Sequence, residues 1–109
     1  MKPISELSVE VIPQAIIDRP VSEVVGKYAD VTKDTDELGT FEGASFKLDG
    51  KYEIAVRRYP GYPEGTATVY IDRKIKNVSD ITAVIRAVLK EFGLTADALK
   101  WERSQGPEL

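Results

Sequence analysis

Cysteine and histidine are both missing from this 109-residue chain, and tryptophan and methionine occur once each. Without cysteine there is no disulfide, thiolate nucleophile or iron–sulfur ligand, and without either residue there is no ordinary zinc site. The lack of histidine removes the side chain that titrates near neutral pH unaided and rules out a Ser-His-Asp triad. Catalysis would have to rest on a carboxylate, lysine or tyrosine with a displaced pKa, or on a bound cofactor. No glycine spacing matches a dinucleotide or phosphate loop, so no cofactor and no metal is expected. No apolar run reaches the roughly 20 residues of a membrane span. The opening Met1-Lys2-Pro3-Ile4-Ser5-Glu6 lacks the apolar block of a signal peptide, so a cytoplasmic location without a membrane partner is expected.

Apolar residues make up 42% and charged residues 30%, the balance of an ordinary globular chain. At this length one α+β domain over residues 1–103 is expected, with 104–109 as a flexible tail. The net charge of −3 is unevenly spread, about −5 over residues 1–50 and +2 over the rest. A clearly basic body, the usual footprint of nucleic-acid binding, is absent, so nucleic acid is not favoured as a partner.

Leu7, Val9 and Val11 alternate with polar residues and predict a first strand that Pro13 would end or push to a sheet edge. Asp18-Arg19-Pro20 followed by Val21, Val24, Val25 and Tyr28 predicts a short helix over 20–29. Residues 30–43 read as an acidic linker. Its Asp34-x-Asp36-x-x-Gly39 matches the start of a calcium loop, but Leu38 and Ser45 stand where oxygen ligands belong, leaving a solvated loop.

Three alternating segments between Ala44 and Arg73 predict an antiparallel meander. A two-residue turn at Asp49-Gly50 would split the apolar set between faces. A three-residue turn including Lys51 pairs Leu48 with Tyr52, Phe46 with Ile54 and Ala44 with Val56, and gathers that set on one face. Pairing Val56 with Val69 and Ile54 with Ile71 continues the same face. Next comes a helix over 79–92, with Ser79 as its cap, Asp80 in its first turn and Gly93 as its left-handed stop. Leu99 and Trp101 alternate with Lys100 and Glu102 and predict a closing strand whose tryptophan completes the core. The expected order is therefore β-α-β-β-β-α-β, with the long and the short helix packed on one face of an antiparallel sheet.

One surface cluster stands out: Arg57, Arg58, Tyr59, Tyr62, Tyr70 and Arg73, joined by Lys74 and carried by the non-core face and the hairpin tip Tyr59-Pro60-Gly61-Tyr62-Pro63-Glu64-Gly65. Two readings compete. Tyrosine and arginine are frequent interface anchors, and prolines would hold Tyr62 at low entropic cost. The same residues also serve as ordinary occupants of a wet sheet face. The expectation is a non-enzymatic protein-binding or accessory module with a protein partner or a second copy. Weak single-stranded nucleic-acid binding, or an enzyme using carboxylate or tyrosine chemistry, is the alternative.

Overall fold

The computed structural model describes residues 1–36 and 39–103. Within them the elements run β1 (Lys2–Ile4), β2 (Val11–Ile17), α1 (Val21–Val25), β3 (Thr32–Asp36), β4 (Gly39–Leu48), β5 (Tyr52–Arg58), β6 (Ala67–Asp72), α2 (Val78–Glu91) and β7 (Leu99–Glu102). The seven strands form one antiparallel sheet in the order β1-β4-β5-β6-β2-β7, and β3 also pairs with β4. This is an α+β architecture with two strands more than the sequence predicts. The expected tail, 104–109, lies outside the described residues.

The meander has the predicted register. Phe46 pairs with Ile54, Leu48 with Tyr52, Ile54 with Ile71 and Val56 with Val69. Asp49 and Gly50 both take left-handed backbone, at φ 55° and 66°, closing the three-residue turn. Phe46, Leu48, Ile54, Val56, Val69 and Ile71 are buried on one face with Val21, Val24 and Val25 of α1 and Ile81, Val84, Ile85, Val88 and Leu89 of α2. The apolar stripe of α2 recurs every three to four residues, and its burial against this face holds both helices there.

Several local expectations are corrected. The cap of α2 is Asn77, whose Oδ1 accepts from the Ser79 and Asp80 amides at 2.8 and 3.3 Å; Ser79 is already inside the helix. Gly93 is the left-handed stop, at φ 75°, and the Leu94 amide returns to the Leu89 carbonyl at 2.8 Å. The short helix is confined to Val21–Val25. The acidic linker is largely a hairpin, β3 running back along β4 from Thr32 opposite Gly43 to Asp36 opposite Gly39. Charged and threonine side chains on this outer edge hide its strand character, because an edge strand has no apolar period to reveal it.

The first strand is displaced too. Residues 7–10 are not a strand; β1 lies earlier and β2 later, with Pro13 inside β2. β2 holds two irregularities. Pro13 pairs with Tyr70 and Ala15 with Val69, so Gln14 is extra; against β7, Ile16 pairs with Trp101 and Ile17 with Leu99, so Lys100 is extra. Each bulge reverses the facing of the residues after it. Proline is tolerated beside such a bulge because the ladder is already interrupted.

Candidate functional site

The face opposite the helices is partly closed. Between β1 at one side of the sheet and β2 near the other, the Ser5–Glu10 segment crosses β4, β5 and β6. Ser8 fastens it, its amide and Oγ hydroxyl donating to the two Glu53 carboxylate oxygens at 2.6 and 2.5 Å. These hydrogen bonds, the hydroxyl's first, hold the Glu53 carboxyl below the usual carboxylate range against the opposing effect of desolvation. At the far end of the segment Arg73 donates its amide to the Glu10 carbonyl and pairs with the Glu10 carboxylate, both at 2.9 Å.

Under this strap lies a second apolar cluster. Ala55, Tyr59 and Tyr70 are buried there, with Leu7, Val11, Phe41 and Tyr62 packed around them. Tyr59 is only 7% exposed and Tyr70 5%. The Arg57 guanidinium carbon sits 4.3 Å from the Phe41 ring centroid and 5.3 Å from that of Tyr70, and Nη1 donates to the Tyr59 hydroxyl at 3.5 Å. Tyr59 in turn packs on Phe41 and Tyr62, with ring centroids 5.3 and 6.2 Å apart. Arg57 is thus an amphipathic lid with aromatic faces on both sides.

Of the six predicted site residues, Arg57, Tyr59, Tyr70 and Tyr62 come together. Arg58 turns aside to Glu64 at 3.7 Å, and Arg73 stands apart with Glu10. Thr68 pairs with Arg57, continuing the Val56–Val69 register. Sequence reasoning missed Phe41, which belonged to the supposed linker. Continuing the Phe46–Ile54 register towards the N-terminus sets Gly43 opposite Arg57 and Phe41 diagonal to it, so the signal was present. Gly43 is required there: a Cβ would stand 2.1 Å from the Val56 carbonyl oxygen.

Two of the grooves beside this cluster bear on its use. One, about 730 Å³, lies between β1 and the start of β3, with Glu6, Asp30, Asp34, Phe41 and Arg57 among its walls. No group of three or more potential metal ligands occurs among the described residues. The other, about 500 Å³, has Ile16, Pro13 and Thr68 as its floor, with Tyr62 and Pro63 on one side and Trp101 on the other. Trp101 is 42% exposed, a correction of its expected core role. The Lys100 bulge is the cause: Leu99 keeps the core side with Ile17, and Trp101 is turned outward beside Ile16. The Gln14 bulge does the same for Pro13, so two backbone irregularities assemble an apolar groove that no alternation pattern encodes.

Glu53, Glu91 and Tyr28, whose pKa values are displaced, line neither groove. Besides Glu53, Glu91 is lowered chiefly by its hydrogen bond from the N-terminal ammonium of Met1, at 2.6 Å. Burial foremost, then the Glu91 charge, raises Tyr28, which donates to the Glu91 backbone carbonyl. None of the described helices is long and apolar enough to cross a membrane. Comparison of the chain with protein-family models, with curated proteins and with solved structures gives no match.

Proposed function

We propose that this chain is a non-enzymatic protein-binding module, and that its contact surface is the Tyr62–Trp101 groove beside the hairpin tip. The carrying observation is the exposed Trp101 facing Tyr62 across Ile16 and Pro13. Aromatic residues at the rim of a concave apolar patch are typical anchors of protein interfaces. This shifts the surface from the expected Arg57/Tyr70 face, most of which is spent on the second cluster. The burial of Tyr59 and Tyr70 weighs against base stacking on that face, which the nucleic-acid alternative requires. The enzyme alternative calls for a displaced acid or base in a concavity, and Glu53, Glu91 and Tyr28 are each engaged in fastening chain segments.

Affinity capture tests the reading. A Tyr62→Ala/Trp101→Ala double variant should melt within a few degrees of the parent and lose a partner that the parent retains. A folded double variant that captures every partner of the parent overturns it.

A further inference from the structure

Beside the groove the nearest charge is of the sign opposite to that of the whole chain. Lys100 and Arg103 bracket Trp101 in sequence, and among the described residues neither has an ion-pair partner. The Arg103 guanidinium carbon lies 5.8 Å from the Trp101 ring centroid, and its Nε is buried without a hydrogen-bond partner among the described residues. Nearby acids are already engaged: Glu102 with Arg86 at 3.2 Å, and Glu64, next to Pro63, with Arg58 at 3.7 Å. A cation against the groove's tryptophan, and a second exposed one next to that tryptophan in sequence, in a chain of net charge −3, therefore call for a particular kind of ligand.

We infer that the groove takes a segment of a partner protein in which an apolar side chain is flanked by carboxylates. This rests on the groove being the contact surface. The apolar side chain seats against Ile16, Tyr62 and Trp101, and the carboxylates meet Lys100 and Arg103. A second copy of this chain fits less well. A two-fold axis at this rim would set Lys100 and Arg103 against the same cations, while Glu102, the acid that could answer them, is held by Arg86. Single-stranded nucleic acid would need a longer track of cations along its backbone.

Trp101 is the only tryptophan, so its emission reports on the groove directly. The full chain is titrated with capped Val-Phe-Val peptides flanked by aspartates, by asparagines or by lysines, and separately with oligothymidine. The aspartate peptide should shift the emission saturably and bind about three- to tenfold more tightly than the asparagine peptide, the range of a partly exposed ion pair. In a Lys100→Gln/Arg103→Gln variant that preference should vanish while the asparagine peptide binds as before. Equal binding of the aspartate and lysine peptides overturns the charge inference and leaves the groove itself standing as a contact surface. Tighter binding of oligothymidine overturns it in favour of nucleic acid. A concentration-dependent Trp101 shift with a sedimenting dimer overturns it in favour of a second copy. No saturable shift with any peptide also overturns it, and the groove then stands or falls on its own capture experiment.

Discussion

The two faces of the central sheet share strands β4, β5 and β6 but are closed in different ways. On one face two helices bury a continuous layer of Phe46, Leu48, Ile54, Val56, Val69 and Ile71. On the other, a hydrogen-bonded strap and a hairpin tip cover only Ala55, Tyr59 and Tyr70, and the apolar groove beside them stays open. The helical face is built from regular alternation and has no room for a partner. The opposite face is built from long-range crossings and bulges, and its incomplete closure is what leaves a surface to use.

The largest expected effect separates the two clusters. Phe46→Ala empties a fully buried site in the helical core and should cost ~3–5 kcal/mol in chemical unfolding. Tyr70→Ala, in the smaller cluster, should cost only ~2 kcal/mol. Equal losses would make the strapped face a second core of the same weight and break the comparison.

Gly43→Ala comes next, at ~2–3 kcal/mol, because the new methyl drives β4 against the Val56 carbonyl of β5. A loss below ~0.5 kcal/mol would mean that β4 shifts freely there, and that Phe41 need not be held against Arg57.

A smaller effect arises from the strap. The Glu53 pKa is lower in the folded than in the unfolded chain, so its contribution is complete above the unfolded value and is lost as pH falls through the folded one. Stability of the parent should therefore fall below the ordinary carboxylate range more steeply than that of Glu53→Gln. Parallel acid limbs for the two proteins would mean that the Ser8–Glu53 fastening adds nothing to stability. Glu91 titrates in the same direction through Met1 and provides the corresponding test at the end of α2.

Trp101→Ala should be the mildest, changing thermal stability by no more than ~0.5 kcal/mol. A loss of core size would return Trp101 to the structural role that simple alternation assigns it.

How legible the molecule is in its sequence differs by face. Along the meander, a one-residue slip would expose several large aliphatic side chains, so the apolar pattern alone selects the register. Gly93 and the periodic Ile81–Leu89 stripe announce α2 in the same local way. The candidate site is harder to see. The Arg57–Tyr70–Tyr59 association follows from the register, but Phe41 sits on an edge hairpin without apolar period, and Leu7 reaches the cluster from a crossing segment. Trp101 misleads, since its spacing from Leu99 implies the same face until Lys100 is known to bulge.

The helical core is therefore written in the chain's own pattern: pairings across short turns and a periodic helix stripe depend on near neighbours and on burial of one apolar set. The other face took its form from folding. Where a strap crosses three strands, and where Gln14 and Lys100 leave the ladder, depends on contacts between residues far apart in the chain. A bulge reverses facing without changing composition, which is why the groove between Tyr62 and Trp101 becomes visible only once the chain is folded.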